Sequence, residues 1–163
     1  MSSQCATFFV DGLHFGVDVL HVQEVIRYQQ MTPVPLAPDV VEGLINLRGQ
    51  IVTALDLRTR LGLAARPADR FPMNVVVRTD EGVVSLLVDE IGDVVDVLAD
   101  EFEPVPETVT SSVAGLVTGV FKRREGLLLQ LDVDRAVSVD GERTAAAGGW
   151  GVAPADTAPA QAN

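Results

Sequence analysis

Gly43-Leu44-Ile45-Asn46-Leu47-Arg48-Gly49-Gln50-Ile51-Val52-Thr53-Ala54-Leu55-Asp56-Leu57-Arg58-Thr59-Arg60 is the stretch from which the rest of the chain can be read. Two apolar runs flank Gly49-Gln50, a pair whose leading glycine suits a type II′ turn. The stretch therefore predicts a β-hairpin, with Arg48 opposite Ile51, Asn46 opposite Thr53 and Leu44 opposite Leu55. Side chains alternate along a strand, so Ile45, Leu47, Val52 and Ala54 share a wholly apolar face that belongs against a core. The other face mixes Arg48, Asn46 and Thr53 with Ile51 and two leucines, the composition of a sheet surface that meets solvent or a partner. Asp56 is placed to cap a helical turn from Leu57 to Leu61, which Gly62 can close.

Working outward, the same vocabulary recurs. Upstream, Ala6 to Val10 and Leu13 to Val17 read as strands about an Asp11-Gly12 turn, and Asp18 can cap a turn through Leu20-His21. Val22 to Tyr28 is extended and β-branched, and Gln29 to Pro38, with three prolines, is loop. Downstream, beyond a polar joint from Ala64 to Arg70, come strands Phe71 to Thr79 and Val83 to Val88 about a Glu81-Gly82 turn. An extended Val94 to Leu98 follows, then a loop from Ala99 to Thr110, a hairpin of Gly115–Phe121 and Leu127–Leu131, and a turn capped by Asp132. Gly12, Val17-Asp18, Gly43-Leu44-Ile45 and Leu55-Asp56-Leu57 correspond in order to Gly82, Val88-Asp89, Gly115-Leu116-Val117 and Leu131-Asp132-Val133. Two copies of a five-strand unit are implied. Short strands at this spacing close most readily into small barrels, which removes their edges. The expected fold is all-β: two small five-stranded barrel lobes packed together, with short helical turns. One lobe is expected at about 6–66 and the other at about 70–140, with exchange of strands between them left open. Residues 141–163 are rich in Ala, Gly and Pro and read as a disordered tail, in which Trp150 is either incidental or a docking anchor.

Composition narrows the function. A formal net charge of -11 disfavours nucleic-acid binding and anionic membrane surfaces. No apolar run is long enough to span a bilayer, and the first residues lack the pattern of a signal peptide. One cysteine cannot make an internal disulfide, so a reduced, cytoplasmic protein is expected. His14, His21 and Asp18 lack ligand spacing, and Cys5 has no sign of a nucleophile's setting. There is no Gly-x-Ser-x-Gly elbow and no phosphate-cradling loop. The acidic series Asp89, Glu90, Asp93, Asp96, Asp100, Glu101 and Glu103 reads as a solvated flank that favours solubility. Neither an enzyme, a metal site nor a cofactor is expected.

The hairpin also carries a family likeness. Asn46-Leu47-Arg48-Gly49, Ile51-Val52 and Leu55-Asp56-Leu57-Arg58 resemble the centre of the CheW family of chemotaxis coupling proteins. In the same order, so do Phe15-Gly16-Val17-Asp18, Val22-Gln23-Glu24-Val25-Ile26, Pro35 to Gly43, Val88-Asp89-Glu90-Ile91-Gly92-Asp93-Val94 and Leu116-Val117-Thr118-Gly119. The likeness runs from about Thr7 to Val139, within a domain taken as 1–140. It implies two SH3-like lobes and a non-catalytic adaptor at membrane-associated receptor arrays. The implied partners are a CheA-type histidine kinase through its CheW-like regulatory domain, the cytoplasmic tip of chemoreceptors, and other copies of the scaffold.

By position, the resemblance implies a receptor-binding role for Val22, Glu24, Arg48 and Ile51, with Gly43 as support and the Glu and Arg interacting. The residues alone leave alternatives open. Arg48 can be a solvated turn residue, Val22 and Ile51 can be ordinary core, and Gly43 can be a bulge, a close-approach site or simply the start of a strand. Two other functions compete: the same scaffold in a non-flagellar array governing pilus motility or gene regulation, and a small ligand-binding or catalytic barrel, which a deep pocket with perturbed acids would favour.

Overall fold

In the computed structural model, which describes residues 2–138, the chain begins with β1 (Ser2–Val10) and β2 (Leu13–Asp18). The expected tail and Trp150 lie outside the described residues. A single turn of 3-10 helix (Val19–His21), capped by the Asp18 carboxylate at Leu20 N–H, leads into β3 (Val22–Ile26). Then follow β4 (Val41–Leu47), β5 (Gln50–Asp56) and α1 (Leu57–Arg60), whose cap is Asp56 as expected. The second half gives β6 (Met73–Thr79), β7 (Gly82–Val88), β8 (Glu90–Leu98) and β9 (Phe102–Glu103). It ends with α2 (Ser111–Ala114), β10 (Val117–Arg123), β11 (Gly126–Leu131) and α3 (Val133–Val137), the last capped by Asp132. β9 falls within the stretch read as loop from Ala99 to Thr110, and α2 in the four residues after it, to which the sequence reading assigns no element.

The sheets do not follow the halves of the sequence. One is ordered β8-β1-β2-β11-β10-β9, the other β3-β6-β7-β5-β4. Each sheet therefore takes its leading hairpin from the other half of the chain. The guests are joined by parallel pairing: Phe15 and Gly16 of β2 lie opposite Leu129 and Gln130, and Val84 to Leu87 of β7 lie opposite Thr53 to Asp56. A cut between residues 66 and 70 passes through both sheets.

The core explains why the exchange is stable. Ile45, Leu47, Val52 and Val76 fill the five-stranded lobe, and Cys5, Val97, Phe121 and Leu128 fill the six-stranded one. The largest cluster belongs to neither alone. It joins Phe8, Phe15 and Val17 to Val75, Val77 and Leu86, with Leu57 and Leu61 of the α1 end and Val133, Ala136 and Val137 of α3. Fully burying one Phe, Leu or Val contributes roughly 1.5–3 kcal/mol. The layer between the lobes is thus the main apolar store of the fold.

Two details of the central hairpin differ from expectation. Its turn is Arg48-Gly49, with φ of 52° and 86°, so both central residues are left-handed, as in a type I′ turn. Asn46 fixes it by accepting the Gly49 N–H through its side-chain oxygen at 2.9 Å. Leu47 now faces Gln50, Asn46 faces Ile51, and Leu44 faces Thr53. Moving the turn by one residue shifts each partner by two, so the expected core face survives: Ile45, Leu47, Val52 and Ala54 are all buried. A bulge on β4 between Val41 and Gly43 then pairs Leu55 with Val41, and Leu55, at the end of the mixed face, is buried in the core between the lobes.

The same bulge corrects the repeat. β10 is irregular between Val117 and Gly119, as β4 is between Val41 and Gly43. The Asp56 N–H donates to Val40 C=O and the Asp132 N–H to Leu116 C=O, both at 2.8 Å. Gly43-Leu44-Ile45 therefore matches Gly119-Val120-Phe121, not Gly115-Leu116-Val117. In each copy a short segment crosses over the glycine: Thr32 bridges Leu44, and β9 pairs with β10.

Candidate functional site

β3 and the β4–β5 turn bring Glu24 and Arg48 together. Arg48 Nη1 donates to Glu24 Oε2 at 2.6 Å. The two groups are unequally placed: the Glu24 side chain is 16% exposed and that of Arg48 77%. The left-handed turn lifts Arg48 off the sheet, and the half-covered carboxylate tethers one end of its guanidinium. That hydrogen bond first, and then the charge of Glu24, raises the pKa of Arg48 further, so it is always a cation.

Ile51, opposite Asn46 on the strand leaving the turn, is 61% exposed, which removes its core-packing alternative. Val22, two residues before Glu24 on β3, is partly buried and packs on the core between the lobes. Gly43 is buried and lies apart from this surface. A Cβ there would stand 2.8 Å from the Thr32 carbonyl oxygen and 3.0 Å from Met31 Cβ. It is both a bulge and a close-approach site, and it supports the path of the chain from Met31 to Leu44. Gly43→Ala is expected to lower stability by about 1–3 kcal/mol, since backbone must move to admit the methyl group; urea denaturation measures this, and an unchanged midpoint would refute it.

A second constellation was missed at the level of sequence. Asp89 was expected on a solvated flank, yet its side chain is 9% exposed and two arginines hold it. Arg58 Nη2 donates to Oδ2 at 2.7 Å, and Arg66 Nε donates to Oδ1 at 2.9 Å. The Asp11 N–H donates to Oδ2 at 2.6 Å. Arg66 also bonds Asp56, and Arg58 Nη1 donates to the carbonyls of Ala64 and Ala65. The signal was the repeated Val-Asp at positions 17–18 and 88–89, each at a crossing between sheets. Read as one more acid in an acidic run, it was lost.

Burial alone would raise the pKa of Asp89. The Arg58 hydrogen bond, the Asp11 amide and Arg66 outweigh that and lower it to about 2. An unfolded aspartate titrates at ~3.9. A depressed folded pKa gives stability that is complete above the unfolded value and is lost on acidification through the folded one. Unfolding free energy is thus expected to fall between about pH 4 and about pH 2. Because Asn cannot titrate, Asp89→Asn should flatten that slope. Equal slopes in denaturant titrations of the two proteins would disprove the assignment.

Elsewhere the surface offers little for catalysis. Burial, and then Asp18, push the Cys5 thiol up to about 11, so it stays protonated at neutral pH. His14 stacks on Phe9 with ring centres 4.4 Å apart, and burial followed by Arg123 lowers its pKa. Among the described residues no group of three or more His, Cys, Asp or Glu could hold a metal ion. A cleft of about 380 Å³ is bordered by Tyr28, Phe71, Arg66 and Arg70. Of its two arginines, Arg66 is committed to Asp89 and Asp56 and Arg70 pairs with Glu90.

Comparison with known proteins gives a consistent result. The family model described as CheW-like domain matches residues 4–140. The chemotaxis protein CheW of Rhizobium meliloti is 32% identical over 140 residues, covering 85% of this chain and 89% of that protein. CheW of Klebsiella aerogenes is 30% identical over 131 residues, covering 80% and 79%. Protein PilI of Pseudomonas aeruginosa is 25% identical over 122 residues, covering 75% and 68%. The crystal structure of the scaffolding protein TtCheW from Thermoanaerobacter tengcongensis superposes with a TM-score of 0.78 at 27% identity, covering 87% of this chain and 97% of that one.

Proposed function

The chain belongs to the CheW-like domain family and is a scaffold of chemotaxis signalling, and from that premise we propose that it couples chemoreceptors to a CheA-type histidine kinase by assembly, not by chemistry. The observation that carries the site is the tethered but exposed guanidinium of Arg48. A guanidinium has five N–H donors in a planar fork. Glu24 takes one through Nη1 and fixes the orientation. The outward donors meet a carboxylate or carbonyl on the receptor tip, while Ile51 and Val22 supply apolar contact. A receptor tip is a helical bundle, so recognition is of the helix-in-groove kind. The kinase is met through its CheW-like regulatory domain, unlike lobes facing each other, and further copies of the scaffold pack in the same way. Location at a membrane-associated array, on its cytoplasmic side, follows from the receptors; among the described residues no helix is long and apolar enough to cross a membrane.

The likeness to PilI keeps a second reading in view, the same scaffold in an array that governs pili. Reconstitution tests the common core of both. Receptor-containing membranes and the cognate kinase are assayed for autophosphorylation with and without this chain. Strong stimulation that a receptor ligand reverses is the expected result. Absent stimulation, with binding to neither partner, overturns the coupling role.

A further inference from the structure

We propose that Asp89 is a positioning residue, the pin that sets the angle between the two lobes, and that transmission from receptor to kinase depends on this angle separately from binding; the functional half of the proposal rests on the adaptor reading.

Asp89 occupies the single position between β7 and β8, where the chain leaves the five-stranded sheet for the six-stranded one. Its bonds to the six-stranded side are to the end of the β1–β2 hairpin: its own N–H donates to Phe9 C=O at 2.9 Å, and its carboxylate accepts the Asp11 N–H. Its bonds to the other side are Arg58, on α1, and Arg66, in the joint that leads to β6. Arg66 in turn reaches Asp56, the cap of α1. The Arg58, Arg66 and Asp89 side chains are between 9% and 11% exposed.

The large cluster between the lobes is apolar, and other polar links between them use neutral acceptors or are exposed: Arg60 donates to the Ala136 and Arg135 carbonyls, and the exposed Asp80 N–H donates to Asp134. Apolar burial is non-directional: it keeps two surfaces together without fixing their rotation. Guanidinium–carboxylate pairs have a set geometry, and a buried charge cannot slide from its partner without a large cost. The pseudo-equivalent crossing is built differently. Asp18, the last residue of β2, accepts Leu20 N–H, and among the described residues no arginine bonds to it. Where Arg58 follows Asp56, Asp134 follows Asp132, and it accepts the exposed Asp80 N–H at 3.0 Å. Among the described residues the guanidinium–carboxylate pin stands at one crossing of the frame alone; Arg60 joins the lobes through the backbone carbonyls of α3.

The test labels introduced cysteines at Gln50 and Glu125, exposed positions at the hairpin ends of the two lobes, and measures the distance distribution between spin labels in the full chain. Buried Cys5 stays unlabelled. Asp89→Asn is expected to broaden the distribution, Arg66→Gln to broaden it less, and Asp89→Glu to restore part of the wild-type width. In the reconstituted assay both pin-breaking variants bind receptor membranes as wild type does, while kinase stimulation falls about fivefold or more. Should Asp89→Asn fail to fold, Arg66→Gln carries both readouts, since Arg58 still neutralises Asp89. An unchanged distribution overturns the pin. Stimulation that falls only in step with receptor binding or folded fraction overturns its role in transmission. If the wild-type chain itself gives no stimulation, the adaptor reading fails, and the distance measurement still decides whether Asp89 sets the lobe angle.

Discussion

Arg48→Glu is expected to abolish receptor-dependent control of the kinase while the protein remains folded. The side chain is 77% exposed, so its replacement removes no core contact. Glutamate tolerates the left-handed backbone at this turn no worse than arginine does, because the strain lies at Cβ, which both carry. The functional cost is large for two reasons. The new carboxylate stands beside Glu24, where the native cation is held at 2.6 Å, so the turn loses its tether. The donors that face outward also become acceptors, and a receptor carbonyl or carboxylate is then repelled. Loss of a central anchor of this kind weakens association by about tenfold or more. Co-sedimentation with receptor membranes, kinase autophosphorylation and a thermal melt together measure the effect. The combined charge swap, Glu24→Arg with Arg48→Glu, separates the two reasons. It restores an internal pair but leaves the outward charge reversed, so it is expected to stay inactive. Recovery in the swapped protein would mean that Arg48 acts only by shaping the turn. A normal kinase response in folded Arg48→Glu would remove Arg48 from the site altogether.

The second large effect concerns the halves of the chain. Residues 1–66 and 70–140, produced separately, are each expected to lack stable structure. In the first, β1 and β2 have lost β11 and β8, their partners in the six-stranded sheet. In the second, β6 and β7 have lost β5 and β3. Each fragment also gives up half of the apolar layer on which the fold mainly depends. Domains retain only about 5–15 kcal/mol of net stability, so losing this layer leaves neither fragment a folded state. Mixed in equal amounts, the halves can complete both sheets. The expected readout is a collapsed amide proton spectrum for each half, dispersion on mixing, and one unfolding transition for the intact chain. A well-dispersed spectrum from either half alone would refute the shared-core account.

Much of this architecture was legible because it is local. Alternation marked the core face of the central hairpin, and Asp18, Asp56 and Asp132 each announced a capped turn, because a carboxylate after a strand finds free backbone N–H groups nearby. The recurrence of these signals showed that the frame is used twice. Long-range partnership was not legible. Nothing in β2 says that it will lie parallel to β11, since either sheet would bury its apolar residues equally well. The turn at Arg48-Gly49 was displaced by one residue because the strands' twist favours two left-handed positions, and a non-glycine residue was not expected to accept one. At the site, Glu24 and Arg48 were paired by family likeness, and the geometry supplied what sequence could not: which of the two is covered and which faces out. Asp89 was misread because the acids around it are indeed exposed; only the fold reveals which member of a charged run turns inward.

The exchanged hairpins make the chain the covalent equivalent of a swapped dimer. Two separate half-length copies with this arrangement would have to present every surface twice, because a two-fold assembly repeats whatever either copy carries. Joined in one polypeptide, the copies are released from that constraint. The frame has stayed alike, down to the bulges at Gly43 and Gly119, while the surfaces have parted: arginine at 58 answers to aspartate at 134, and glycine at 49 to glutamate at 125. The two ends of the molecule thereby gain individuality without surrendering the single core that holds them.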